Sequence, residues 1–239
     1  MYIFSTFTLN KFMFELGRCN VEQEKLGDHN LTYIYNFWQN PESIVQLLSD
    51  SESDLYWKLK CLKEEERGRI LSQMSNGVFF EDRRHDLEFS EIKHAHNFVS
   101  SLINTPHNIQ NSCGYGRLMT NVHKIYDVPF NDFRNNWWSP HKDGCPYACI
   151  WYFNKDDDIN GTNIYEQTEQ IDCDNSISHY TDEVINPWVP KKFFKRIKLL
   201  KPVYNSAVIF SGQSYFHGMN IENNRYSNEY RINSVLFIQ

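Results

Sequence analysis

None of the six cysteines, at positions 19, 61, 113, 145, 149 and 173, forms a Cys-x-x-Cys pair. Zinc ribbons and dithiol redox centres need that tight spacing, so neither is expected. Scattered thiols in a chain of this size point to a reducing compartment. No apolar run approaches the ~18 residues of a membrane span. The opening MYIFSTFTLNKFMFELGR lacks the charged head, long apolar stretch and small-residue cleavage site of a secretory leader. The expectation is a cytoplasmic protein with no membrane association. A basic excess is missing too: 24 Lys and Arg stand against 30 Asp and Glu, a formal net charge of −6. That speaks against a nucleic-acid partner. The basic stretch KKFFKRIKLLK, residues 191–201, reads as a solvated amphipathic strand or helix. There is no P-loop, no His-Glu-x-x-His, no internal repeat and no low-complexity tract.

What is present is a folded chain. Its 239 residues are 41% hydrophobic and 15% aromatic. That length suits one large domain, or one domain with a sizeable extension, burying a core without staples. The aromatic share suits pleated, half-buried surfaces. The character of the sequence changes near residue 115. Residues 1–115 read as a mixed α/β region packing on a core, with a strand over 31–38, a helix opening at Asn40-Pro41, a charged helix over 52–75 and another over 89–102. In the last of these, His94 and His96 point in different directions, which disfavours a metal pair. Residues 116–239 read as the core, with strands over 118–127, 146–154, 162–166, 203–210 and 231–238. Short strands without intervening helices predict a mainly β fold with flanking helices, an all-β barrel or jelly roll. Residues 167–200 lack pattern and read as an insertion near substrate, where Trp188, Phe193 and Phe194 serve either as grip or as packing.

Two separated segments carry candidate metal ligands. His141-Lys142-Asp143 places an imidazole and a carboxylate two apart, on one face of an extended backbone. Pro140 is expected to keep Ser139 extended. Much later, Ser206–Phe210 reads as a buried strand and Ser211-Gly212-Gln213 as a turn, followed by Tyr215-Phe216-His217-Gly218. A histidine there, with glycine beside it for close approach, suits the third corner of a facial triad. Two histidines and one carboxylate leave three coordination positions open, which suits Fe(II) and O₂ chemistry better than a closed zinc site.

Arg231 opens the apolar run Ile232–Ile238. An arginine at the mouth of an apolar barrel calls for an anion, and a guanidinium matches a carboxylate in bidentate fashion. Arg225 is a second candidate anchor, in what reads as an exposed turn.

The order His141-x-Asp143, Cys149–Asp156, Gly161–Ile164, His217-Gly218 and Arg231 resembles the 2-oxoglutarate/Fe(II) dioxygenases, and most of all their prolyl hydroxylase branch, over residues 118–239. The resemblance implies a double-stranded β-helix, the cupin-like jelly roll. It implies iron on His141, Asp143 and His217, and 2-oxoglutarate held by Arg231 with a hydrogen bond from Tyr152 and an apolar wall at Ile164. The implied reaction is hydroxylation of a peptide, a protein side chain or a small amino-acid-like metabolite, coupled to conversion of 2-oxoglutarate and O₂ to succinate and CO₂. An aspartate ligand fits hydroxylation rather than halogenation, and no separate catalytic base is called for. The rival readings are a cupin-like metalloenzyme that does not use 2-oxoglutarate, and a catalytically degenerate β-helix that binds a partner.

Overall fold

The computed structural model describes residues 14–50, 81–87, 89–103, 108, 111–120, 134–169, 188–223, 225–227 and 229–239. Twelve strands and two α-helices are formed among them. In chain order they are β1 (Asn20–Leu26), β2 (His29–Tyr35), α1 (Pro41–Asp50), β3 (Glu81–Leu87), α2 (Phe89–Ser101), β4 (Cys113–Thr120), β5 (Asn136–Trp138), β6 (Tyr147–Tyr152), β7 (Thr162–Gln167), β8 (Trp188–Pro190), β9 (Phe194–Leu200), β10 (Ser206–Phe210), β11 (Phe216–Met219) and β12 (Arg231–Ile238). The fold is mainly β, as expected.

Seven strands form one sheet in the order β1-β2-β10-β6-β12-β4-β3, and three form a second in the order β11-β7-β9. Every pairing in both sheets is antiparallel. β5 and β8 make a separate antiparallel pair.

The central strands are buried on both faces, so they read as apolar runs rather than as alternation. In β6, Cys149 and Trp151 face one side with Ile34, Ile209, Leu236 and Ile238. The helices cover that side through Ile44 and Leu48 of α1 and Ile92, Ala95 and Val99 of α2, which recur at helical spacing. Pro41 is the first residue of α1, where its missing N–H leaves no bond unmade. Phe37, Trp38 and Trp151 meet there, with centroids 4.8 to 5.5 Å apart. The alternate residues of β6, namely Ala148, Ile150 and Tyr152, face the other side, where Ile164 of β7 and Leu200 of β9 close the inner layer. The outer face of β7 buries Tyr165 against Val189, Phe193 and Phe194.

Several expectations change. β1, β2 and β3 lie before residue 115 yet belong to the seven-stranded sheet, and residue 115 itself falls inside β4. The sequence hides this continuity because β1 is an edge strand whose polar residues are mostly exposed, so nothing in it alternates. The segment 167–200 is not one loop: β8 and β9 occupy 188–190 and 194–200, and β9 pairs along β7. A register shift between Ile164 and Tyr165 breaks its period. Phe193 and Phe194 pack in the core rather than reach outward. Residues 170–187, the expected helix over 52–75 and the tail of the expected strand over 121–127 lie outside the described residues. Among the described residues, no helix is long and apolar enough to cross a membrane.

Candidate metal centre

The three ligands predicted from separate segments come together. One ligand atom from each of His141, Asp143 and His217 lies within 4.8 Å of the others. The backbone brings them there. His141 and His217 form an isolated antiparallel bridge, exchanging N–H···O bonds of 2.9 and 2.8 Å. That pairing sets both imidazoles on one face, with ring centroids 4.4 Å apart. The Asp143 N–H donates to the Gly212 carbonyl at 2.9 Å, tying the third ligand to the turn before β11. His141 Nε2 is 3.7 Å from Asp143 Oδ1, and His217 Nε2 is 3.3 Å from Asp143 Oδ2. Neighbouring ligands of an octahedron with bonds of about 2.1 Å lie roughly 3 Å apart, so a small inward shift fits a metal.

Protonation is set by the backbone as well. His141 Nδ1 lies 2.7 Å from the Ser139 carbonyl and His217 Nδ1 lies 3.1 Å from the Tyr215 carbonyl. A carbonyl only accepts, so each Nδ1 carries the proton and each Nε2 keeps its lone pair for a metal. Asp143 Oδ2 is buried and makes no hydrogen bond among the described residues. A buried carboxylate oxygen left so is costly unless a cation meets it. Burial pushes the Asp143 carboxyl up, but a proton on His217, and then one on His141, outweighs it and holds the carboxyl below its ordinary range when those imidazoles are charged rather than set for a metal. The donor set, the free lone pairs and the bare carboxylate oxygen together fit a divalent cation with open positions. Solvent reaches it from the His141 side: that side chain is 33% exposed, against 7% for Asp143 and 6% for His217. Phe210 packs edge-on against His217 at 4.8 Å.

Ser139 departs from expectation. Its φ is 42°, in the left-handed region, not extended. Proline does restrict the residue before it, but here the His141–His217 backbone bridge fixes the chain just beyond, and the turned backbone aims the Ser139 carbonyl at His141. Glycines make the close approaches. A Cβ on Gly218 would stand 2.2 Å from the Trp138 carbonyl oxygen, and one on Gly212 would stand 2.4 Å from Asp143 Oδ2. Gly212 looks like an ordinary turn glycine in the sequence, and only the approach of Asp143 shows its role. Gly212→Ala is therefore expected to displace the carboxylate and weaken metal binding by roughly 10–100-fold, as loss of a supporting group does. Calorimetric titration of the folded variant with Fe(II) under argon checks this; wild-type affinity would mean the carboxylate has slack.

The remaining predicted residues occupy the inner layer. Ile164 is fully buried and pairs directly with His217 across β7 and β11. The Tyr152 hydroxyl donates to Thr162 Oγ1 at 2.8 Å. Burial pushes that phenol up to about 12, against the opposing pull of the Thr162 bond and the Arg231 charge. Arg231 is buried at the head of β12, donating to Asn233 Oδ1 at 2.9 Å, Gly161 O at 3.3 Å and Asn160 O at 3.4 Å. Asn233 pairs with Tyr152 and shares a strand face with Arg231. That two-residue spacing is present in the sequence, and it marks a contact to the arginine that no motif announces. Arg225 is placed differently, on a short 3-10 turn. It donates to the carbonyls of Asp156 at 2.7 Å and Lys155 at 2.8 Å, and to Glu229 at 2.8 Å. Of the two histidines in α2, His94 is exposed and His96 fully buried.

A separate cleft of about 270 Å³ lies between the β1–β2 hairpin and β9, and contains none of these residues. Its Glu24 is already met by Lys198 at 2.6 Å and by the Tyr33 hydroxyl at 2.9 Å.

No protein-family model matches the chain, and no curated protein matches it. Among solved structures, a prolyl-4-hydroxylase from Pseudomonas putida aligns at a TM-score of 0.33 and 11% identity, over 83% of this chain and 98% of that one. The Fe(II)/α-ketoglutarate-dependent dioxygenase TqaL aligns at 0.35 and 10% identity, over 84% and 87%. IDO from Bacillus thuringiensis aligns at 0.32 and 12% identity, over 91% and 99%. These likenesses are remote, and the functional conclusion rests on the site itself.

Proposed function

We propose that this chain is an Fe(II)- and 2-oxoglutarate-dependent oxygenase built on a double-stranded β-helix. The observation that carries the proposal is the convergence of His141, Asp143 and His217, with the buried Asp143 Oδ2 facing His217 Nε2 at 3.3 Å. Two histidines and one carboxylate on one face are the donor set of non-haem iron oxygenases and also of some catalytic zinc sites; the buried Arg231, suited to the far carboxylate of a keto-diacid, supports iron. Iron held there, with 2-oxoglutarate and O₂, supplies hydroxylation of a substrate C–H bond, giving succinate and CO₂ from the co-substrate.

The chain's own residues do the rest. The two Nδ1–H···O=C bonds hold the imidazoles in the coordinating tautomer. Arg231 holds the far carboxylate of the co-substrate, its guanidinium aimed by bonds to Asn160 O, Asn233 Oδ1 and Gly161 O. Tyr152 adds a hydrogen bond beside it. Ile164 and Phe210 wall the pocket and keep water away from the metal side. The substrate in this proposal is a peptide or protein side chain, or a small amino-acid-like metabolite. Arg225, bound into its own turn, is the weaker anchor.

Adding Fe(II) and then 2-oxoglutarate under argon is expected to produce a weak visible charge-transfer band. Subsequent admission of air is expected to release succinate even without substrate. If folded, iron-loaded protein shows neither, the metalloenzyme that does without 2-oxoglutarate is the better reading.

A further inference from the structure

We infer that Asp157 is a positioning residue for Arg231, and that the 157–161 turn it organises sets the spacing between the triad and the guanidinium. The inference rests on the proposed function above.

Asp157 is nearly buried and fully engaged. Its Oδ1 accepts from Ile159 N at 3.2 Å, Asn160 N at 3.0 Å and Asn160 Nδ2 at 3.2 Å, and its Oδ2 accepts from the Tyr226 hydroxyl. Tyr226 is itself buried, so this carboxylate is held from the core side as well as by its own turn. Burial pushes the Asp157 carboxyl up, yet the Tyr226 hydroxyl and the two backbone N–H groups overcome that and keep it ionised.

The turn matters because of where its carbonyls point. Asn160 O and Gly161 O, the next groups along from those Asp157 fixes, both accept from Arg231. The same turn also grips the far end of β11. Asn220 N donates to Gly161 O at 2.9 Å, and Asn220 Nδ2 donates to Ile159 O at 2.6 Å. Asn220 lies just beyond β11, the strand that carries His217. One five-residue turn thus touches the strand of a metal ligand on one side and the guanidinium on the other. A dicarboxylate that chelates at the metal and reaches Arg231 needs that spacing held.

The test compares 2-oxoglutarate with pyruvate, which shares the keto-acid end but lacks the far carboxylate. Binding of each to the Fe(II)-loaded, full-length protein is measured anaerobically. Asp157→Ala is expected to raise the 2-oxoglutarate Kd by about tenfold or more, while the Kd values of pyruvate and Fe(II) stay within roughly twofold, because only the far contact is misplaced. Asp157→Asn keeps an oxygen for the two backbone N–H groups and is expected to restore the affinity to within roughly threefold. If Asp157→Ala does not fold, Tyr226→Phe reads the same ratio. Equal weakening of both ligands, or no change in either, overturns the positioning role while leaving the oxygenase reading standing. Failure of the wild-type, iron-loaded protein to bind 2-oxoglutarate overturns that reading and this inference with it.

Discussion

Asp143→Ala is expected to abolish Fe(II) binding at micromolar metal. Losing even a supporting group around a metal costs about 10–100-fold, so loss of the only anionic ligand costs more than about a hundredfold. The histidines alone remain, with their Nε2 atoms set for a metal but no charge to offset it. The effect reads out in two ways. Isothermal titration gives the lost affinity directly. Thermal unfolding gives a second measure: wild type at a hundredfold excess of metal over its Kd gains about 2.7 kcal/mol, and the variant at the same metal concentration gains less than about 0.4 kcal/mol. The metal-free melting temperature of the variant should stay near that of wild type, because the His141–His217 bridge runs through backbone atoms alone. A variant that still binds Fe(II) tightly would place the metal elsewhere and remove the basis of the functional conclusion.

Arg231→Ala is expected to weaken 2-oxoglutarate binding by about 10–150-fold, the equivalent of a lost charge-assisted hydrogen bond of roughly 1.5–3 kcal/mol. Fe(II) affinity should hold, since the bonds of Arg231 to Asn160, Gly161 and Asn233 tie it to the 160–161 turn and β12. The substitution also strips donors from three oxygens, so a drop in stability is expected, and binding must be measured well below the new melting point. Arg231→Lys restores charge without the planar fork and should fall between the two. Arg225→Ala is the companion measurement. It is expected to loosen the turn at 155–156 and leave 2-oxoglutarate affinity near wild type. Should Arg225→Ala be the variant that loses 2-oxoglutarate while Arg231→Ala does not, the anchor is Arg225. Should Arg231→Ala lose iron and keep 2-oxoglutarate, Arg231 supports the metal rather than the co-substrate.

Much of the site is legible in residue order, because its signals are local. His141 and Asp143 share a face by two-residue spacing alone, and His217 follows a buried strand and a turn. Asn233 is equally legible, two along from Arg231 on the same strand, though no motif singles it out. What residue order does not carry is any contact made across the fold. Gly212 gains its importance from Asp143, whose N–H bonds to its carbonyl. Ser139 adopts φ 42° despite the proline after it, where the backbone bridge from His141 to the distant His217 fixes the chain. Asp157 looks like one acid among several in Asp156-Asp157-Asp158, and the bond from Tyr226, far along the chain, helps to distinguish it.

The sequence by itself determined the candidate donor residues, their placement on short extended segments and the mainly β character, since residue chemistry and strand period are properties of neighbours. Tertiary structure alone decided that β1, β2 and β3 complete the large sheet, that β9 edges the small one and that Arg231 rather than Arg225 is the buried arginine. Edge strands and bulged strands carry little or no period of their own. Their place comes from hydrogen bonds to distant partners, and burial of a charge depends on which of those partners close over it.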